Sequence, residues 1–356
     1  MNKLRYGIIG FGGIAENRIA GEGFGLDRSR FNGHPSAELV GAFDLNPDRK
    51  QAAEALGLRW YGSMDEMLDD VGIDAVFIAT NNSSHAEIAG KAIRKKKHCL
   101  IEKPVAHTLE DAGRLRELAR EYGVSLDVDH MMTKNAYNIK AQNLLKDGSL
   151  GDVNDITLHM EFLYGSVKEE AETWRCSRPE EIGGPLGDVG THCLYMAEYL
   201  LDDVITEVAC SYIPVTLDIR VENGAFIQFR TKGGISGSAR VAFNQSRGGL
   251  VGTLSNLGFE VYGSKGALRS YGTLFQLSGD KTDPVQLRLE LDTGSEVSRI
   301  DPGDCPNIYQ QQIASHAQSV MNNEYSDGSA AVHNLELLFA CYESAQNGSG
   351  FIKCPL

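Results

Sequence analysis

The chain has 356 residues, more than one hydrophobic core usually serves, so two domains are expected. It carries 48 acidic against 34 basic residues, a formal charge of -14, and its longest basic run is Arg94-Lys95-Lys96-Lys97, read as a solvated helix end. That balance excludes a nucleic-acid binder, which neutralises phosphates with a clustered positive footprint.

Met1 to Ala15 contains an apolar run, but glycines interrupt it, charges follow at Glu16 and Arg18, and no small-residue cleavage site is present, so no signal peptide is expected. No stretch approaches the ~18 consecutive apolar residues of a membrane span. The expectation is a soluble, cytoplasmic protein without a membrane partner. The 7 cysteines are scattered and never form a Cys-x-x-Cys pair, which reads as free, reduced thiols rather than disulfides or zinc; no metal is expected.

Along the first ~130 residues, short apolar runs alternate with helix-period segments. Arg5–Ile9, Leu39–Phe43, Ala75–Ala79, Cys99–Ile101 and Val124–Val128 are the expected strands. Ala75-Val76-Phe77-Ile78-Ala79 is apolar on both faces, as a central parallel strand must be. Ser63 with Glu66 and Ser84 with Glu87 fit the capping-box spacing, and Thr108 with Asp111 is a looser version. The alternation predicts an α/β Rossmann fold with a doubly wound parallel sheet over 1–129. The character changes after a helix expected near 134–146. Gly151 to Tyr164 reads as a strand, Asp188 to Leu201 as a helix, and 204–291 as strands separated by Gly, Asn and Asp turns. The second domain, 130–356, is therefore α+β with a large, mostly antiparallel sheet, closed by helices at Ile308–Met321 and Ala331–Ala345.

Three motifs carry chemistry. Gly10-Phe11-Gly12-Gly13-Ile14-Ala15 follows the first strand, with Gly10-x-Gly12-x-x-Ala15 in the spacing of a dinucleotide-binding turn. Glycine permits the tight turn and close approach of backbone N–H groups to a pyrophosphate, while Ala15 permits close helix packing. Asp44, at the end of the second strand, suits the ribose hydroxyls and favours NAD, whereas Arg49 and Lys50 nearby leave NADP open. Gly10 to Asp44 exceeds the usual offset of about 20 residues, which points to an insertion at Gly21–Pro35.

The second motif, Glu102-Lys103-Pro104, ends a strand at the edge where such sheets bind ligands; Lys103 there can stabilise an alkoxide or move a proton. The third runs from Gly183 to His192. Helical spacing puts Asp188 and His192 on one face with Tyr195 and Tyr199, and Val189, Cys193, Met196 and Leu200 on the opposite, apolar face. His192 is the natural proton acceptor near neutral pH. His130 and the pair Trp174-Arg175 are further candidates for the substrate.

Together these motifs resemble the glucose-fructose oxidoreductase / inositol dehydrogenase / MocA (Gfo/Idh/MocA) family. The resemblance runs nearly end to end: the Gly10–Ala15 turn, Val76–Thr80 followed by His85, Glu102-Lys103-Pro104, Leu150-Gly151-Asp152-Val153, Trp174-Arg175, Gly183 to His192, and Asp327-Gly328. It implies a Rossmann domain, a C-terminal open-faced sheet used for homodimer or homotetramer formation, and a catalytic set of Lys103, Asp188 and His192. Thr80, Asn81, His85, Glu102 and Lys103 would join the glycine turn and Asp44 around NAD. Asn81-Asn82 stands where Thr-Pro is common, Tyr195 where a second aspartate often follows the histidine, and Met131-Met132 where a basic residue is frequent.

The expected activity is NAD(P)-dependent hydride transfer to or from a secondary alcohol or ketone of a sugar, sugar derivative or inositol. The alternatives are an NAD-dependent glycosidase or lyase that oxidises its sugar transiently, and a non-catalytic NAD-binding regulator.

Overall fold

A computed structural model describes residues 3–245, 256–275 and 287–355. They form two compact units, one of residues up to 131 together with 306–332, the other of the remainder.

In the first unit, six strands pair in parallel in the order β3-β2-β1-β4-β5-β6. They are β1 (Leu4–Ile9), β2 (Ala37–Phe43), β3 (Arg59–Trp60), β4 (Ala75–Ile78), β5 (His98–Ile101) and β6 (Leu126–Val128). This is the doubly wound order, with the topological switch between β1 and β4. All four β4 residues are buried, which matches a strand covered on both faces. The five strands expected from sequence lie within two residues of their expected ends, whereas the two residues of β3 are too short to show a period.

Helices α1 (Lys50–Ala55), α2 (Met64–Asp69), α3 (Asn82–Arg94) and α4 (Leu109–Tyr122) connect the strands. Ser63 caps α2 by accepting from Glu66 N at 3.1 Å, and Thr108 caps α4 by accepting from Asp111 N at 3.1 Å. The expected cap at Ser84 is corrected. Helix α3 begins two residues earlier, and the Ser84 hydroxyl has acceptors behind it in Thr80 Oγ1 and Asn81 O, both at 2.8 Å. The basic run is corrected in part: Arg94, Lys95 and Lys96 are exposed, but Lys97 has left the helix and is 8% exposed. Its ammonium group donates to Asp70 O at 2.9 Å and Ile73 O at 2.7 Å, and burial lowers its pKa.

The second unit begins with α5 (Ala136–Lys146), followed by β7 (Val153–Glu161), the short helices α6 (Lys168–Ala171) and α7 (Trp174–Ser177), and α8 (Thr191–Leu201). Strands β8 (Ile205–Tyr212), β9 (Gly224–Thr231), β10 (Ser236–Ala242), β11 (Leu257–Gly263), β12 (Gly266–Tyr271), β13 (Arg288–Asp292) and β14 (Val297–Arg299) follow. Parts of the strand series expected over 204–291, at 246–255 and 276–286, lie outside the described residues. After α9 (Ile308–Met321) and α10 (Ser329–Gln346), β15 (Ile352–Lys353) completes a sheet of order β14-β13-β12-β11-β7-β10-β9-β8-β15. Strands β7 and β10 pair in parallel and the other neighbours antiparallel. Along β9, buried Ala225, Ile227 and Phe229 alternate with exposed Phe226, Gln228 and Arg230, the signature of a sheet with one open face. Helix α8 packs on β7 and β10. All seven cysteines are free, and Cys305 is the exposed one.

The expected division at 129/130 assigned 306–332 to the second domain; these residues pack with the first unit instead. The 21–35 insertion is one reason. Glu22, 2% exposed, accepts from Arg18 Nη1 at 2.6 Å and from Asn307 Nδ2 at 2.9 Å, and Gln310 Nε2 donates to Glu22 O at 3.0 Å. His34 Nδ1 accepts from Ala37 N at 2.9 Å, so its proton lies on Nε2, which donates to Gln310 O at 2.9 Å. Farther along α9, Tyr6 OH and His316 Nδ1 are 2.6 Å apart in the core.

Tyr6→Phe leaves that buried nitrogen without its partner and is expected to destabilise the protein by about 1–3 kcal/mol. An unchanged urea midpoint would contradict this anchoring of α9.

Candidate active site

Strand β1 ends in a turn that only glycine fits. Gly10 has φ 87°, and a Cβ there would lie 2.6 Å from Ala79 O and 2.7 Å from Thr80 Cγ2. The glycine turn and the Thr80-Asn81 turn after β4 are thus in close contact. At Gly12 and Gly13 the reverse holds, because a Cβ would meet nothing within 4 Å. That open room is what a pyrophosphate needs to approach backbone N–H groups. Ala15 is buried and Ile14 is 45% exposed.

The long spacing to Asp44 does not displace it. Ile9 pairs directly with Phe43, so the insertion is extruded while the two strand ends stay adjacent. Asp44 Oδ2 accepts from Phe11 N at 2.5 Å and Oδ1 from Asn46 N at 2.8 Å. Arg49 Nε donates to Phe11 O at 2.6 Å, and its guanidinium pairs with Glu16. A carboxylate suited to ribose hydroxyls and a cation suited to a phosphate therefore share one turn.

His85 is fully buried. Its Nδ1 is 2.8 Å from Pro104 O and its Nε2 3.2 Å from Thr80 O, so the ring links the turns after β4 and β5. Glu102 N donates to Ile78 O at 2.9 Å, which sets Lys103 at the strand end; the Lys103-Pro104 bond is cis, and Lys103 is half-buried. His130, also half-buried, follows β6 with its N–H on Val128 O at 2.7 Å.

Sequence reasoning passed over the residue before it. Asp129 is 1% exposed. Burial pushes its carboxyl well above the usual carboxylate range; the negative Glu102 adds to the push and Lys103 opposes it. A carboxylate at the C-terminal end of a parallel strand, one step from the noted His130, was the available signal.

In the second unit, the Gly183–His192 segment folds as a π-helical turn, Leu186–Gly190, leading into α8. This corrects the continuous helix expected from Asp188. Gly184, at φ 91°, has the Glu222 carboxylate 2.4 Å from where its Cβ would be, and Glu222 Oε1 accepts from Leu186 N at 2.9 Å. The wide turn is seated on Glu222. Asp188, 8% exposed, accepts from Arg175 Nε at 3.2 Å, and the Arg175 guanidinium lies 4.6 Å from the Trp174 ring centroid. Trp174, Arg175 and Asp188 are thereby brought together.

His192 is 3% exposed, with Nδ1 2.8 Å from Tyr195 OH. When Nδ1 carries the proton and donates to the phenol oxygen, Nε2 keeps a lone pair able to accept a proton. The apolar stripe of Val189, Cys193, Met196 and Leu200 is buried as expected, but Thr191, His192 and Tyr195 are buried too, so α8 is covered nearly all round.

Burial pushes the Glu222 carboxyl up to about 7 in spite of the Leu186 N–H it accepts. A raised carboxyl pKa means that the folded state holds the proton more tightly, so this contribution to stability is complete below the ordinary value of 4.5 and is lost as pH rises through about 7. The difference in melting temperature, wild type minus Glu222→Gln, is expected to fall across that window. A flat difference would contradict the assignment.

Family models match both units: "Oxidoreductase family, NAD-binding Rossmann fold" over residues 4–130, and "GFO/IDH/MocA C-terminal domain" over 139–269. The chain is similar to 1,5-anhydro-D-fructose reductase of Ensifer adhaerens, 28% identical over 351 residues that cover 97% of each protein. It is 29% identical to glucose-6-phosphate 3-dehydrogenase of Bacillus subtilis (strain 168) over 57% of this chain and 55% of that one. Among solved structures, aldose-aldose oxidoreductase from Caulobacter crescentus, complexed with glycerol, shares the fold with a TM-score of 0.84 and 22% identity over 99% of this chain and 100% of the other. Levoglucosan dehydrogenase, in complex with NADH and levoglucosan, does so with a TM-score of 0.80 and 19% identity over 100% of both chains. With a glycine turn open toward a pyrophosphate and matches to both halves of one family, the chain belongs to the Gfo/Idh/MocA family of NAD-binding oxidoreductases.

Proposed function

We propose that this oxidoreductase interconverts a secondary alcohol and a ketone on a cyclic sugar or sugar derivative, with Lys103, Asp188 and His192 as its catalytic residues. Bound NAD, or NADP, would supply the hydride acceptor at C4 of its nicotinamide. The glycine turn from Gly10 to Ala15 and Asp44 would hold the dinucleotide, with Thr80, Asn81, His85 and Glu102 bordering it. Arg49 beside Asp44 supports tolerance of a 2′-phosphate.

The observation that carries the reading is the held state of the two second-unit groups: His192 on Tyr195 and Asp188 on Arg175. An imidazole is the side chain suited to taking a proton near neutral pH, so His192, held by Tyr195, acts as general base toward the sugar hydroxyl. Lys103 stabilises the developing alkoxide by charge. Asp188, its charge balanced by Arg175, orients the hydroxyl, and Trp174 offers an apolar face to a sugar ring. His130 completes the polar contacts.

Gly12→Ala tests the cofactor turn without touching the fold: the apo melting temperature should hold while NAD affinity drops at least about tenfold, because the added methyl enters otherwise open room. Lys103→Met and His192→Ala should each lower kcat by about 10²–10⁴ while NAD affinity stays within a few-fold. Near wild-type turnover of levoglucosan or 1,5-anhydro-D-fructose by both variants would refute the assignment.

We also propose a cytoplasmic homodimer or homotetramer formed through the open sheet face. The strand register puts Phe226 and Tyr262 on that same face, 40% and 37% exposed. Light scattering should report at least a dimer, and Phe226→Asp should shift it toward monomer; a monomeric wild type would contradict this.

A further inference from the structure

Phe11, inside the glycine turn, has both of its backbone polar groups engaged by the segment that follows β2. Its N–H donates to Asp44 Oδ2 at 2.5 Å, and its carbonyl accepts from Arg49 Nε at 2.6 Å. Asn46 folds that segment back toward the turn: its side chain accepts from Asp48 N at 3.0 Å and its carbonyl from Arg49 N at 3.1 Å. The far end of the Arg49 guanidinium, Nη2, donates to the Glu16 carboxylate. Glu16 stands directly after Ala15, with its own N–H on Gly12 O at 2.9 Å. Arg49 thus straps Phe11 to Glu16 across the glycine turn.

The strap gathers two carboxylates, Asp44 and Glu16, against one guanidinium, which leaves a negative charge in excess. Arg49 and Glu16 are half-buried, so a ligand can reach the pair. Lys50, the next residue, is exposed and pairs with Glu54 at 3.7 Å. These groups treat the two dinucleotides differently. A ribose 2′-hydroxyl donates to a carboxylate, whereas a 2′-phosphate repels one and binds best in the fork of a guanidinium. To take a 2′-phosphate, Arg49 must release Glu16, and the released carboxylate then repels the same phosphate. The Glu16–Arg49 pair therefore acts twice against NADP, and NAD leaves it undisturbed.

We infer that Glu16 sets the dinucleotide preference: it occupies the Arg49 guanidinium that a 2′-phosphate would use, and the protein takes NAD ahead of NADP. This rests on the reading of the glycine turn and Asp44 as the dinucleotide site and deepens it. Arg49 supplies the tolerance of a 2′-phosphate, and Glu16 limits it.

The test measures binding of NADH and of NADPH to the full-length protein by calorimetry, with no sugar present, so that affinity is read and not turnover. Wild type should bind NADH more tightly. In Glu16→Gln the ratio of the two affinities should move about tenfold toward NADPH, because a like charge is lost and Arg49 is released. Glu16→Ala, which removes the acceptor altogether, should move the ratio in the same direction. Arg49→Leu and the double variant Glu16→Gln/Arg49→Leu should have ratios within about twofold of each other, since Glu16 then has no guanidinium to hold. An unmoved ratio in both Glu16 variants would overturn the proposal, as would wild type binding NADPH as tightly as NADH. The same shift appearing in the Arg49→Leu background would overturn it too, by making Glu16 a plain like charge. Wild type that binds neither dinucleotide would sink the cofactor reading and this inference with it; tight NADH binding with an unmoved ratio sinks this inference alone.

Discussion

Four backbone hydrogen bonds stitch the strand ends of the first unit together: Gly10 N to Phe43 O at 2.9 Å, Ala79 N to Ile9 O at 2.9 Å, Glu102 N to Ile78 O at 2.9 Å, and Asp129 N to Ile101 O at 2.8 Å. Each joins the residue after one strand to the last residue of its neighbour. Because the strands are parallel, they all deliver chemistry to the same edge. Gly10, Thr80, Lys103 and Asp129 are far apart in the chain and become neighbours along this edge. Moving one strand by a residue would exchange an inward for an outward side chain at every position, so the buried cores of β1, β4 and β5 hold the register that the edge requires.

The second unit solves a different problem. Its wide turn before α8 carries Asp188, and a π-turn lacks the tight ladder of an α-helix. Glu222 accepts the Leu186 N–H from below, and Gly184 leaves the space that its carboxylate occupies. The cost is a carboxyl held in a poorly hydrated place, which is why its proton is retained toward neutral pH. One turn later, the Tyr195 hydroxyl stands 2.8 Å from His192 Nδ1 and fixes the orientation of the ring.

Much of this was legible in the residues. Fully apolar Ala75–Ile78 announced a central parallel strand, and the glycine turn and Asp44 announced two strand ends that lie side by side even though the insertion stretched their spacing. What remained hidden depends on long-range contacts. The basic run at 94–97 is charged throughout, and nothing local tells that the Lys97 ammonium finds the carbonyls of Asp70 and Ile73. The return of 306–332 to the first unit rests on Tyr6 with His316 and on Glu22 with Asn307, pairs separated by 310 and 285 residues. The π-turn was missed because helical periodicity does not distinguish a widened first turn from an α-helix, and Asp129 because its meaning comes from Glu102 on the neighbouring strand end.

Isotope transfer tests the central claim most directly. Levoglucosan and related cyclic sugars deuterated at their carbinol carbons are incubated with the protein and NAD, and the reduced nicotinamide and the sugar are analysed by mass spectrometry. The account predicts deuterium on the reduced cofactor together with a ketone formed from one of the sugars. Sugar consumed with its deuterium retained or exchanged, and no net reduced cofactor, would contradict it.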